Sequence, residues 1–233
     1  MHKPQAKNLL LSGIPDEHRQ HLFANCELIE LESSQVLCER GSVIEHVYFP
    51  TTAVISLVMP VDDRSQLEVG LIGNEGMLGI NLMLGVEDAP FGAIVQGGGT
   101  SIRMHAPLFI SELDNNPPFK KTLLRYLFVL MSQLIQTAGC HRFHVVEKRL
   151  ARLLLMIKDR THSPEFHITQ ELLSQMLGVR RVGVTQAAQT LQERGLISYS
   201  RGNVFIQNVR GLEGASCSCY QADKDVYARI MKP

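Results

Sequence analysis

Between His167 and Gln207 the spacing of small and apolar residues leaves few folds open. Thr169 is a good N-cap for a helix through Leu177, and Gly178 stands where a left-handed helix end is needed. A second helix is predicted from Arg181 to Arg194, with Gly195 as its cap. Counted from Gln170, the small residues Ser174 and Gly178 are fifth and ninth. On the same count Leu173, Leu177, Val184 and Ala187 are fourth, eighth, fifteenth and eighteenth. Two helices that cross steeply through a short turn need this pattern. A small residue lets the backbones approach, a glycine makes the turn, and four apolar positions join the pair. The spacing predicts a helix-turn-helix.

Leu196–Tyr199, Ser200–Asn203 and Val204–Ile206 then read as strand, turn and strand, the wing of a winged helix with Arg201 placed near a phosphate backbone. The outward face of the second helix would carry Arg180, Arg181, Thr185, Gln186 and Gln189. Arg and Gln side chains read guanine and adenine edges through paired hydrogen bonds. The same face also fits a solvated helix or a protein-binding winged helix.

Charge is distributed as such a module requires. The chain of 233 residues has no net charge. From residue 140 onward, however, 14 Lys and Arg stand against 8 Asp and Glu, a balance of +6. The first 139 residues hold the other 9 basic and 15 acidic residues, a balance of −6. A basic C-terminal part on an acidic N-terminal part suits a regulator with one nucleic-acid-binding module, though uneven surface charge gives the same sums. Hydrophobic residues are 45 % and charged residues 20 %, which excludes global disorder, collagen and a disulfide-stapled miniprotein. No uninterrupted apolar run approaches 18 residues, Tyr126–Met131 being among the longest, so no membrane partner is expected. Met1–Gln5 lacks the apolar core of a secretory signal, and the five cysteines read as reduced thiols of a cytoplasmic protein.

Residues 26 to about 105 are predicted to be β-structure. Val43-Ile44, Val47–Phe49, Ala53–Met59, Gln66–Ile72, Ala93–Gln96 and Thr100–Met104 are short apolar or alternating runs. Asp62-Asp63-Arg64 reads as a turn, and the glycines at 70, 73, 76 and 79 as corners or close backbone approaches. Such a series makes a sandwich, barrel or roll. Pro107–Leu113 reads as a short helix, and Asp114–Pro118 breaks the chain. A long helix follows with two adjacent apolar stripes, Leu123, Leu127, Leu130, Leu134 and Leu124, Phe128, Met131, Ile135. One stripe has to bury on its own domain and the other elsewhere. A two-fold seam is expected at Leu123, Leu127, Leu130 and Leu134, with a helix buried inside one subunit as the alternative. Gly139-Cys140-His141 is expected to punctuate this helix, and a basic amphipathic helix follows to about Thr161.

With these residues quoted, the chain resembles the Crp/Fnr family of bacterial transcription regulators over nearly its whole length. The resemblance implies an α+β architecture in three parts: an antiparallel, jelly-roll-like β-roll of the cyclic-nucleotide-binding type (1–116), a dimerisation helix (117–139) and a winged helix-turn-helix (140–233). It places Arg181, Val182 and Gln186 at base-reading positions, and Thr169 and Gln170 at phosphate-holding ones. Val182 stands where the family commonly has an acidic residue, so a different target sequence is expected. The partners implied are double-stranded DNA, a second copy of the chain and RNA polymerase.

The sensor end departs from the family members that bind cyclic AMP. Ile80 stands where those have Glu, and Val86–Gly92 contains no Arg. A cyclic phosphate buried beside Glu87 and Asp88 would lack compensation. The effector site is left open, with Gly79, Ile80, Pro90 and Phe91 as a candidate pocket. Cys217 with Cys219 forms a close pair, and Cys140, His141 and His144 gather ligand-capable side chains at the hinge. Ordinary thiols and hinge residues explain both groups, so neither a cofactor nor a metal site is assigned. A cupin-like metal enzyme is the rival class. His46 and His105 come without the accompanying ligand motif, and no nucleophile elbow, P-loop or zincin motif is present. A pure cyclic-nucleotide-binding module is a third class, weakened by Ile80 and the missing Arg.

Overall fold

The computed structural model describes residues 7–62 and 65–232. Two sequence expectations therefore lie partly or wholly outside the described residues, the turn at Asp62–Arg64 and the N-terminal Met1–Gln5. The chain divides into two compact units. One is built from residues up to Leu57, Ile72–Leu130 and the chain from Arg229; the other from Val58–Leu71 and Met131–Ala228.

The first unit opens with two short helices absent from the sequence reading, α1 (Leu9–Ser12) and α2 (Asp16–Ala24). The strands up to His105 are β1 (Cys26–Leu31), β2 (Val36–Cys38), β3 (His46–Pro50), β4 (Val54–Asp62), β5 (Ser65–Ile72), β6 (Gly92–Gly97) and β7 (Gly99–His105), of which β4 from Val58 and β5 up to Leu71 are assigned to the second unit. They form two antiparallel sheets, ordered β1-β7-β3 and β2-β6-β4-β5. This is the β-roll. Inside it Phe49, Phe109 and Phe119 are fully buried, with Phe109 meeting Phe119 edge-on at 5.8 Å.

Two of the predicted glycine corners act in different ways. Gly79 has φ +93° before the 3₁₀ turn Ile80–Leu84, a conformation costly for a residue with Cβ. Gly76 lies against the buried Tyr126, whose hydroxyl would stand 2.2 Å from an added Cβ. Gly76→Ala is therefore expected to destabilise the chain by about 1–3 kcal/mol, as overpacking does, and urea unfolding measures this.

Helix α3 (Ala106–Asn115) is followed after one residue by α4 (Pro117–Phe143). The break is narrower than Asp114–Pro118. Asn116 caps α4, its Oδ1 accepting the Phe119 amide at 3.1 Å, and both prolines fit the first turn, where amides have no helical partner. Gly139 does not end this helix, which continues to Phe143.

The stripe expectation needs a correction. Leu123 and Leu130 are buried within the chain (0 % and 6 % exposed), and Leu127 and Leu134 are half-buried. The stripe left exposed is the other one, with Leu124 at 51 %, Met131 at 54 % and Ile135 at 71 %. Spacing showed two stripes but not which of them the roll covers. Length and composition set α4 apart from the other described helices. An 18-residue stretch of α4 reaches a mean hydropathy of 1.2, enough by those two measures to cross a membrane. Its longest unbroken apolar run stays short, because polar residues such as Gln133 and Gln136 interrupt the apolar ones.

The second unit contains α5 (Val146–Thr161), β8 (Glu165–His167), α6 (Gln170–Leu177), α7 (Arg181–Glu193), β9 (Ile197–Ser200), β10 (Asn203–Ile206), α8 (Val209–Ala215) and α9 (Cys219–Met231). Its sheet is ordered β8-β10-β9. Strand β8 and helices α8 and α9 were not anticipated. β8 is three residues long, too short for periodicity to show, and its partner β10 lies more than 35 residues away. In α5 the basic face is not all solvated. Arg152 is buried and reaches Asp223 of α9 at 2.7 Å.

Candidate nucleic-acid interface

Helix α6 begins as its sequence predicts, with the Thr169 hydroxyl accepting the Leu172 amide at 3.2 Å. It ends at Gly178 in the left-handed conformation, φ +59° and ψ +42°. Leu173, Ser174 and Leu177 of α6 and Val184, Ala187 and Leu191 of α7 are all buried. The four apolar positions and the small residue thus do what the spacing required.

Burying that side of α7 leaves Arg180, Arg181, Val182, Thr185, Gln186 and Gln189 exposed. Arg180 is the N-cap position and Arg181 the first residue of the helix. Gln170 ties the two helices at their N-terminal ends. Its Oε1 accepts from the Thr185 hydroxyl at 3.0 Å and from Arg181 Nε at 3.5 Å. Gln189 is held one turn on, donating to Glu193 at 2.9 Å. Side chains whose rotamers are fixed before contact lose less entropy on binding.

The wing is a two-residue hairpin. Arg201 and Gly202 both have positive φ, +51° and +86°, the hand that matches the twist of the flanking strands. Gly202 packs so closely on His167 that an added Cβ would stand 2.5 Å from the ring. Sequence reading missed the residues that fasten the wing. Tyr199 donates its hydroxyl to the Ile168 carbonyl at 2.8 Å, and its amide donates to Gln192 Oε1 at 2.7 Å. Burial pushes the Tyr199 phenol up, against the opposing pull of Arg181, which keeps it a hydrogen-bond donor. Only a pairing across the fold reveals these roles. Arg201 itself is exposed at the tip, as expected.

Residues 148–215, which include both helices and the wing, match the Crp-like helix-turn-helix domain. The fold as a whole agrees. TTHB099, a CRP-family transcriptional regulator from Thermus thermophilus, superposes with a TM-score of 0.68 at 14 % identity, covering 82 % of this chain and 99 % of its own. The c-di-GMP responsive global regulator CLP of Xanthomonas campestris gives 0.67 at 15 % identity over 82 % of this chain and 99 % of its own. FixK2 from Bradyrhizobium japonicum gives 0.65 at 11 % identity over 83 % and 98 %. No curated protein sequence matches the chain.

The chain contains a Crp-like helix-turn-helix domain and shares the fold of these Crp/Fnr-type structures.

The candidate pocket residues Gly79, Ile80, Pro90 and Phe91 do not line the described cavities of the first unit. Ile80 is buried in the wall of the roll, and Pro90 is exposed. The described cavities of this unit are lined by other residues. The larger, about 560 Å³, lies between α1, α2 and the β1-β7 sheet and is lined by Leu11, Phe23, Cys26, Leu28, Thr100 and Ile102 among others. A smaller one of about 130 Å³ is lined by Cys38, Ile44, His46, Tyr48 and Leu78 among others. Asn81 donates to the carbonyls of Val86 at 2.8 Å and Asp88 at 3.1 Å, folding this loop on itself.

The two ligand-capable groups of the sequence, read separately there, meet in the second unit. Cys140, Cys217 and Cys219 are buried together, Cys140 Sγ standing 3.5 Å from Cys217 Sγ. His144 Nδ1 is 3.5 Å from Cys219 Sγ. His141 is not part of this group and lines a small cavity with Arg149, Arg152 and Leu177.

Proposed function

We propose that the chain is a homodimeric transcription regulator that reads a pseudo-palindromic DNA site with α7 of each subunit. The observation that carries this reading is the α7 face, where two arginines and two glutamines stand exposed beyond a Gly178 turn inside a Crp-like helix-turn-helix domain. Arg181, Val182 and Gln186 would contact bases, while Thr169, Gln170 and Arg201 would hold phosphates. Half-sites would lie about one helical turn apart, roughly 34 Å. RNA polymerase is the further partner, and the cytoplasm the compartment. The exposed stripe of α4 would close on its copy across a two-fold axis. Its opposite side packs on protein through Leu123, Tyr126 and Val129, so α4 is read as a dimer helix and not as a membrane span. The role is non-catalytic.

Selection of binding sites from random duplex DNA tests this. Two inverted half-sites at that spacing are expected. Recovery of no preferred sequence would overturn the reading in favour of a protein-binding winged helix.

The signal is not cyclic AMP on this reading. The 3₁₀ turn offers Ile80 where a carboxylate would hold the ribose, and Val86–Gly92 offers Glu87 and Asp88 but no guanidinium. Calorimetric titration is expected to show no saturable micromolar binding of cyclic AMP; such binding, with a rise in DNA affinity, would contradict the assignment.

A further inference from the structure

Four side chains from two separate segments of the chain converge in the second unit. Cys140 lies in the last turn of α4, His144 just beyond that helix, Cys217 in the turn between α8 and α9, and Cys219 at the first residue of α9. One ligand atom from each lies within 4.8 Å of every other. The three sulfurs are buried, and His144 is partly buried. All three cysteines are free thiols, and 3.5 Å between Cys140 Sγ and Cys217 Sγ is too long for a bond.

We propose that these four residues form a mononuclear zinc site. A Zn–S bond is about 2.3 Å, so two thiolates on one tetrahedral ion stand about 3.8 Å apart. Cys140 Sγ and Cys217 Sγ, at 3.5 Å, sit near that edge length, and Cys219 Sγ and His144 Nδ1, also at 3.5 Å, fit the shorter sulfur–nitrogen edge. An iron–sulfur cluster spans several metal–sulfide bonds and would hold its ligands further apart. Three soft thiolates with one imidazole suit zinc, and four protein ligands close the coordination shell, which makes the site structural and not catalytic.

The surroundings fit the charge of such a site. Three thiolates around a dication leave one negative charge. Buried Arg149 and Arg152 line the same small cavity as Cys140, so two guanidinium groups lie beside that charge. The side-chain amide of Gln136 donates to Cys219 Sγ at 2.9 Å, the outer-shell hydrogen bond that orients a ligand. Zinc bound here would fasten the C-terminal end of α4 to the α8–α9 turn. Its release would free the helix that leads into α5 and the DNA-binding helices. Metal affinity and the folding of this unit would then be linked.

The full chain, purified under reducing conditions, is expected to hold one zinc per subunit. X-ray absorption should show three sulfurs at about 2.3 Å and one nitrogen at about 2.0 Å. Cobalt(II) exchanged for zinc should give thiolate-to-metal charge-transfer and tetrahedral d–d absorption. Cys217→Ser and Cys219→Ser are each expected to weaken Co²⁺ binding by about 100-fold, while Cys26→Ser and Cys38→Ser leave it unchanged. His144→Cys should keep the metal and raise the charge-transfer intensity, which a merely structural histidine would not do. A chain without zinc that gives no thiolate–cobalt absorption on titration with Co²⁺ would overturn the proposal. So would an iron–sulfur chromophore after anaerobic purification, or a Cys140–Cys217 disulfide in the reduced preparation. The test does not involve DNA, so its outcome is separate from that of the regulator reading.

Discussion

Met131→Glu combined with Ile135→Glu is expected to leave the fold intact, convert the proposed dimer to monomers and weaken operator binding by about 100-fold or more. Both side chains are more than half exposed on α4, so a carboxylate there meets water in the monomer and creates no internal cavity. Across a two-fold seam each residue approaches its own copy or a neighbour. Four carboxylates would then be buried without partners, at several kcal/mol for the interface. Losing the second subunit removes the effective-concentration gain of a two-site grip, about 10²–10⁴ in affinity. Light scattering reads the mass, and a mobility shift reads the affinity. Leu123→Glu is the contrasting variant. That side chain is fully buried within the chain, so it should lower the unfolding midpoint before it affects assembly. An intact dimer in the double variant would place the seam elsewhere.

Arg181→Ala is expected to weaken specific binding by about 10–100-fold and to relax one position of each half-site. Arg181 is the first residue of α7, exposed, and steadied by Gln170. A bidentate arginine–guanine contact contributes about 1–3 kcal/mol of discrimination, and its loss affects the matched sequence alone. Arg201→Ala should behave differently. From the tip of the wing it would neutralise a phosphate, so its loss should weaken binding to all sequences alike and reduce the salt slope by about one. Binding-site selection with both variants, repeated at two salt concentrations, separates reading from holding. Unchanged affinity and preference in Arg181→Ala would remove α7 as the reader.

The helix-turn-helix was legible because its determinants are local. Thr169, Ser174, Gly178 and Val184 act on neighbours within one or two turns, and a glycine that must be left-handed is recognisable from its place after a helical stripe. Five strands of the roll, β3 to β7, were legible for the same reason, through alternation and turn residues, whereas β1, β2, α1 and α2 were not, and Val43-Ile44 forms only an isolated bridge. Helix α2 is weakly amphipathic, burying only Leu22 along its length, and leaves little periodic signal. Residues that fasten the wing, such as Gln192 and Tyr199, gave no signal either. Their partners are chosen by the hairpin's position and not by spacing.

What the sequence determined by itself is the main elements and the kind of surface each can offer: a paired helix with an arginine- and glutamine-bearing face, a series of short strands, and a long helix with two apolar stripes. Tertiary structure decided which stripe of α4 remains exposed, where the roll keeps its cavities, and that Cys140 and His144 meet Cys217 and Cys219. The physical reason is range. Hydrogen-bonded turns and helix faces repeat over a few residues, so local order in the sequence records them. A stripe is buried, or a thiol finds another more than 70 residues away, only when the packing of the whole unit brings them together.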